Sequence, residues 1–326
     1  EADVAGVAAD EQPPSHQLHR VPGAHQIFDK TPEDDLHDAV EALVSGQDRL
    51  DEKQILTSLG IEVAPHHAVS SRTDLLAGLE ELGFPAVLKT RRFGYDGKGQ
   101  VILRDQEDLE RAWQILGDNE LVLEAFVPFD AECSLVAVRS RNQETRYWPL
   151  SRNVHSEGIL MLSLAEDFDQ RLQSKAEEII SRVLDYFDYT GVLTLEFFLQ
   201  DGRLIVNEMA PRVHNSGHWT IDGAEASQFE NHIRAITGLP LGGTSATKHS
   251  LMFNWIGELP DPQKLLSVPG LHWHDYGKSA RPGRKIGHAT LTAESRETLV
   301  ANATQVAVVA GGKFPGLLAQ LPGFTA

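Results

Sequence analysis

The chain carries a single cysteine, Cys133, among its 326 residues. One thiol excludes an internal disulfide framework and a paired Cys-x-x-Cys zinc site, and it fits a reducing compartment. Long apolar runs are absent too: none approaches the roughly 20 residues that a membrane-spanning helix needs. The opening Glu1-Ala2-Asp3-Val4 lacks the basic-then-apolar order of a secretion signal, so the cytoplasm is the expected location. Positive charge is scarce, with 29 Lys and Arg against 47 Asp and Glu, a net charge of −18. That mean field repels a phosphate backbone and argues against a nucleic-acid partner. Neither a Walker loop nor a Ser/His/Asp nucleophile arrangement occurs.

What is present reads as a globular protein. Hydrophobic residues make up 41% and charged residues 23%, and the length allows two or three well-buried cores. Pro13-Pro14 and Pro22-Gly23 break residues 1–46, where only Asp34–Val44 has helical spacing. Beyond them the spacing predicts helices over Asp48–Leu59, Ser71–Leu82, Leu109–Leu116, Gln170–Phe187, Ala226–Thr237 and near Glu294–Ala310. Strands are expected at Ile61–Ala64, Phe84–Lys89, Val101–Arg104 and Leu121–Val127. Cys133–Arg139 should pair with Thr145–Pro149, and Val192–Leu199 with Arg203–Asn207 through the turn at Asp201-Gly202. Helices segregated from hairpins suggest an α+β arrangement whose sheets are covered on one side.

Two glycine-laced loops hold the local positive charge. Residues 89–99 carry Lys89, Arg91, Arg92 and Lys98 against Asp96, and residues 281–288 carry Arg281, Arg284 and Lys285 with no acid. Gly94, Gly97 and Gly99 give a backbone able to curl its N–H groups around phosphate oxygens, although a glycine-rich hairpin with surface charges has the same composition. In Leu121–Val127, Glu124 is the one acid of an apolar strand that ends at Pro128, leaving edge backbone free to pair with a ligand; it could equally be a solvent-facing strand residue. Glu196 sits in the middle of an apolar strand, and the hairpin turn puts it opposite Asn207 or Glu208. Two facing carboxylates repel unless a cation joins them, and hard oxygen ligands at one point suggest Mg²⁺ shared with phosphates. Immediately after come Arg212, suited to bidentate anion contact, and the polar run His214-Asn215-Ser216-Gly217-His218.

Taken together these blocks resemble the ATP-grasp superfamily, and within it the ATPase subunit of bacterial-type phosphoribosylaminoimidazole carboxylase, 5-(carboxyamino)imidazole ribonucleotide synthase. The resemblance runs from about Gln47 to about Leu291. It is carried by Gly94-Tyr95-Asp96-Gly97-Lys98-Gly99-Gln100, by Asn207 through Trp219, and by Gly283-Arg284-Lys285-Ile286-Gly287-His288. It implies an ATP-grasp fold of two α+β lobes gripping ATP, with residues 47–250 as the ATP-grasp region, residues 83–150 as its lid lobe and residues 251–326 as a small C-terminal domain. It further implies ATP and Mg²⁺ as cofactors, bicarbonate and aminoimidazole ribonucleotide as substrates, a place in purine biosynthesis and a homodimer. Arg49 and Lys89 are similar to the family's phosphate contacts, and Gly94–Gln100 to its mobile loop. Glu124, Ala125, Phe126 and Val127 look like the adenine linker, Glu132 like the ribose acceptor, and His155 like another ATP-site position. Glu196 and Glu208 look like metal ligands, with Asn207 beside them. Arg212, His214, Asn215 and His218 resemble the region where bicarbonate meets the amine, and Arg284 and Lys285 the anchors of the ribonucleotide phosphate or the new carboxylate. The family opens with a dinucleotide-fold-like domain whose first strand runs into a Gly-Gly-Gly-Gln-Leu-type turn. Residues 1–46 contain no such turn, so a truncated or atypical N-terminal segment is expected there. The alternatives are another ATP-grasp carboxylase or formate-activating ligase, and a non-catalytic nucleotide-binding remnant.

Overall fold

The computed structural model describes residues 40–94, 98–165 and 168–324. Residues 40–45 are helical, while the rest of the expected Asp34–Val44 helix and the segment before it lie outside the described residues.

Helix α1 (Arg49–Ser58) starts where Asp48 accepts the Leu50 and Asp51 amides, satisfying donors that an N-terminus leaves unpaired. A small lobe follows, with β1 (His66–Val69), α2 (Arg72–Leu82), β2 (Ala86–Thr90), β3 (Gln100–Leu103), α3 (Gln106–Leu116) and β4 (Leu121–Ala125). Its strands form an antiparallel sheet in the order β1-β4-β2-β3. Leu88, Leu103, Leu121 and Leu123 are fully buried on one face, against Leu75 and Leu79 of α2 and Leu109 and Ala112 of α3. Burying each such leucine contributes roughly 1.5–3 kcal/mol. Strand alternation turns Val87, Lys89, Gln100 and Ile102 to the opposite face, which lines the cleft.

The second lobe is built on a nine-stranded sheet. It comprises β5 (Ala131–Arg139), β6 (Thr145–Tyr147), β7 (Ser151–Ser156), β8 (Ile159–Ala165), α4 (Gln170–Tyr186), β9 (Gly191–Gln200) and β10 (Arg203–Ala210). After these come α5 (Thr220–Gly223), α6 (Gln228–Thr237), β11 (His249–Ile256), α7 (Pro262–Leu265), β12 (Leu271–Asp275), β13 (Lys285–Ala293), α8 (Arg296–Ala310) and α9 (Phe314–Leu318). The strand order is β10-β9-β5-β7-β8-β11-β13-β12, with β6 paired to β5. The sheet runs unbroken past residue 250, because β11 pairs with β8 from Ser250 opposite Ala165.

Two expectations are corrected, and one hairpin was not foreseen. The large sheet is covered on both faces, not one. Leu135, Ala137, Leu193 and Leu195 pack with Ile179, Ile180 and Val183 of α4, while Val136, Val138 and Val192 pack with Trp219 and Ala235 on the other side. This is why β9 reads as a continuous apolar run. Ile61–Ala64 forms no strand: only Val63 makes a bridge, to Val206, and Pro65 delays the strand to His66. The hairpin β7–β8 has no counterpart in the sequence reading, although Glu157 (φ 55°) and Gly158 (φ 77°) turn it as positive-φ residues turn a two-residue hairpin.

Candidate active site

Between the lobes lies a cavity of about 740 Å³ lined by residues of both, from Arg49 to Lys285. A second cavity of about 400 Å³ adjoins it and shares Arg49, Gly94, Glu208 and Arg212.

Lys89 reaches the cleft from β2 with its Nζ 2.9 Å from Glu124 Oε2. Lys53 of α1 stands 3.4 Å from Glu124 Oε1 and 3.5 Å from the Asn207 carbonyl oxygen. All three side chains are buried. Burial would raise the Glu124 pKa, but the two ammonium groups hold it at about 2, so the carboxylate stays ionised. Two cations against one anion leave a surplus positive charge at the wall where Lys89 lines the cavity. Lys53 was not singled out in the sequence; a lysine within an amphipathic helix gives little sign that it points inward.

Arg49 Nη1 lies 3.2 Å from Glu208 Oε2, and its Nη2 donates to the Gly94 carbonyl at 3.4 Å. Of the glycine loop, Gly94, Lys98 and Gln100 line the cavity. Gly99 has φ +73°, and a Cβ there would come within 2.6 Å of Thr90 Oγ1, so glycine is required at that position. Tyr95, Asp96 and Gly97 lie outside the described residues. Arg91 and Arg92 both bond Asp48, at 2.8–3.0 Å, and so tie the loop to the start of α1.

Glu196 and Glu208 stand directly opposite each other on β9 and β10. A bulge at Asn207 makes this so: the register shifts between Val206 and Glu208, and Glu208 takes the place facing Glu196. With His214 they present ligand atoms within 4.8 Å of one another. His214 Nε2 lies 3.0 Å from Glu196 Oε1. Burial would raise the Glu196 pKa, but the bond to His214, with His155 and Arg212 nearby, brings it to about 2. Helix α1 clamps the bulge from behind, since Glu52 accepts the Met209 amide at 2.7 Å.

Phe129 and Phe198 stack at 4.9 Å with 9° between their planes, and with Phe126 they form the aromatic end of the cavity. The other linker residues differ from expectation. Glu124 turns into the lysine pair, and β4 is an interior strand, so the Ala125 and Phe126 amides already donate to Pro65 (2.8 Å) and Pro85 (3.2 Å). Val127 packs with Ala64 and Ile205. Glu132 Oε2 meets His155 Nδ1 at 2.9 Å beside the aromatic pair. Burial works against a charged imidazole, but Glu132 outweighs it and lifts His155 to about 8. A raised histidine pKa stabilises the fold fully below the unfolded value near 6.5 and loses that contribution as pH rises through 8. Relative to His155→Gln, the parent should therefore lose about 2 kcal/mol of unfolding free energy between pH 6 and 9. Parallel stability curves for the two proteins would contradict the ion pair.

At the far end, Lys285 Nζ bonds Asn215 Oδ1 at 2.7 Å, and His218 Nδ1 donates to the His214 carbonyl at 2.8 Å. Arg212 is exposed and lines both cavities. Arg284 is not brought to this group: its guanidinium bonds the Ser279 hydroxyl (3.0 Å) and carbonyl (3.3 Å) within its own loop. Arg284 precedes the first residue of β13 and belongs to the turn, whereas Lys285 opens the strand and lines the cleft. Cys133 is buried and its thiol is pushed up to about 12 by that burial, which removes it as a nucleophile.

Comparison with known proteins agrees with this geometry. The ATP-grasp domain family matches residues 54–229, and the phosphoribosylaminoimidazole carboxylase C-terminal domain family matches residues 250–302. The N5-carboxyaminoimidazole ribonucleotide synthase of Pseudomonas aeruginosa is 51% identical over 266 residues, covering 82% of this chain and 74% of the relative. Among solved structures, the N5-carboxyaminoimidazole ribonucleotide synthetase of Thermus thermophilus superposes with a TM-score of 0.79 at 48% identity, covering 83% of this chain and 74% of the other. The synthase of Aspergillus clavatus, solved with ADP and 5-aminoimidazole ribonucleotide, gives 0.76 at 31% identity, covering 82% and 74%. Among the described residues no helix is long and apolar enough to cross a membrane.

Proposed function

The chain belongs to the N5-carboxyaminoimidazole ribonucleotide synthase family of ATP-grasp ligases, and on that premise we propose how its own residues carry the reaction. The enzyme uses ATP to carboxylate 5-aminoimidazole ribonucleotide to N5-carboxyaminoimidazole ribonucleotide in purine biosynthesis. The observation that carries the residue-level reading is one cleft that holds an opposed carboxylate pair, a surplus of positive charge at Lys89, and the Asn215–Lys285 pair at its far end.

We read residues 47–250 as the ATP-grasp region and residues 251–326 as the C-terminal domain, in a cytoplasmic homodimer. The adenine would lie against Phe126, Phe129 and Phe198, and the ribose hydroxyls near Glu132 and His155. Glu196 and Glu208 fit magnesium: they are hard oxygen donors, opposed in register and within reach of one ion. Magnesium, when bound, would supply charge neutralisation across phosphate oxygens. Lys89 and Arg49 neutralise phosphate charge from the other side, and Arg212 orients the bicarbonate anion. A bicarbonate oxygen attacks the γ-phosphorus, the bond to the β-phosphate oxygen breaks, and ADP leaves with the electron pair. The resulting carboxyphosphate is short-lived, and the glycine loop's task is to keep water from it. The substrate amine then attacks the carboxyl carbon, phosphate departs, and the amine gives up a proton. Lys285, held by Asn215, anchors the anionic carboxyl group during this transfer.

A coupled assay tests the reading. ADP release should require both bicarbonate and the ribonucleotide for full rate, with carboxylated product formed in step with ADP. A rate indifferent to the ribonucleotide would favour a non-catalytic or differently coupled nucleotide site.

A further inference from the structure

Behind the acceptor end of the cleft lies a polar group that the reaction does not yet use. His274 of β12 and His288 of β13 are directly paired across the strands, and their rings stack at 4.3 Å with 9° between planes. Asp222 of α5 fixes the outer ring, its Oδ2 lying 2.8 Å from His274 Nε2. The inner ring belongs to His288, which is 1% exposed; its Nδ1 meets the Tyr276 hydroxyl at 2.7 Å. Two cleft residues rest on this stack. The His218 ring meets His288 edge-on at 5.1 Å, and Lys285 Nζ stands 5.8 Å over the Tyr276 ring.

Asp222, His274 and His288 lie close enough together to suggest a metal site. The parallel rings argue otherwise. An imidazole donates its lone pair in its own plane, and two planes stacked face to face do not meet at one ion in this arrangement. A purely structural role is also a poor fit. His288 Nε2 is buried with no hydrogen-bond partner among the described residues, a cost that an apolar side chain would avoid. The ring is better explained by what it holds in place.

We propose that Asp222, His274 and His288 are positioning residues, which fix the ring of His218 and the ammonium group of Lys285 where the substrate amine meets the activated carboxyl group. The proposal rests on the reaction assigned above for the identity of that amine. Its geometry is independent of it. Because His218 Nδ1 donates to the His214 carbonyl, the proton is on Nδ1 and the Nε2 lone pair is left to accept an N–H from a ligand. A ring free to turn would lose that orientation, and a misplacement of about 1 Å at a reacting group costs up to about 100-fold in rate.

The test uses the full chain with His274→Ala, His274→Phe and Asp222→Asn. His274→Ala should lower kcat for ribonucleotide carboxylation by about 10- to 100-fold. Its affinity for an ATP analogue and its melting temperature should stay near the parent values. His274→Phe keeps the stack without the Asp222 bond and should fall between, as should Asp222→Asn. Imidazole ¹⁵N shifts give a readout free of turnover: the parent should show His218 as the Nδ1–H tautomer, and His274→Ala should show an averaged one. Unchanged His218 shifts would overturn the proposal. So would a loss of ATP-analogue affinity and melting temperature in parallel with rate, which marks packing alone. A parent that fails to carboxylate the ribonucleotide would instead overturn the assigned reaction, and the shifts would still decide the positioning role.

Discussion

Glu208→Gln should lower ATP turnover by about 10²–10³-fold while leaving the fold intact. The carboxylate faces Glu196 across the hairpin, at a point where α1 holds the bulged strand rigidly by the Met209 amide and the Asn207 carbonyl. Arg49 partners Glu208 and His214 partners Glu196, so each acid has a protein partner that can yield to a cation. Removing one charge from two opposed carboxylates relieves repulsion, and Glu208 is 34% exposed at its side chain, so the loss should fall on turnover rather than stability. Titrating Mg²⁺ against ADP release checks this. Near-parent turnover at saturating Mg²⁺ would remove Glu208 from the metal site.

Lys89→Met should also cut turnover by about 10²-fold or more, because it removes the surplus positive charge facing the phosphates. Its stability should suffer less than that of Glu124→Gln. With Lys89 gone, Lys53 still compensates the buried Glu124; with Glu124 neutralised, two buried ammonium groups face one another. Breaking a buried pair on that side costs roughly 3–5 kcal/mol. Denaturant unfolding of the two variants should therefore rank Glu124→Gln as the less stable. The reverse ranking would mean that Lys89, rather than Glu124, is the hub of the cluster.

How much of this was legible in the sequence depends on how local each signal is. The helices from Arg49, Arg72 and Gln170 follow from their spacing, and their ends shift by only a few residues. The hairpin carrying Glu196 was legible because Asp201-Gly202 fixes its turn, and both residues do adopt positive φ. Which residue faces Glu196 was not, since a bulge at Asn207 is a departure from alternation that no residue type announces. Hairpin β7–β8 hid because Glu157-Gly158 is a weaker turn signal than Asp-Gly, yet it delivers His155 to Glu132. Lys53, Phe129 and Phe198 enter the site through long-range packing, with Phe129 and Phe198 joined across strand ends far apart in sequence. Arg284 was assigned by motif, but its guanidinium turns back onto Ser279 of its own loop, and its neighbour Lys285 takes the cleft instead.

The central claim is that phosphoryl transfer to bicarbonate precedes attack by the amine. Incubation with ATP, Mg²⁺, aminoimidazole ribonucleotide and ¹⁸O-labelled bicarbonate, followed by mass analysis of the released phosphate, tests it directly. The account predicts ¹⁸O in that phosphate, appearing in proportion to the carboxylated product. Unlabelled phosphate formed at the full rate of product formation would contradict it.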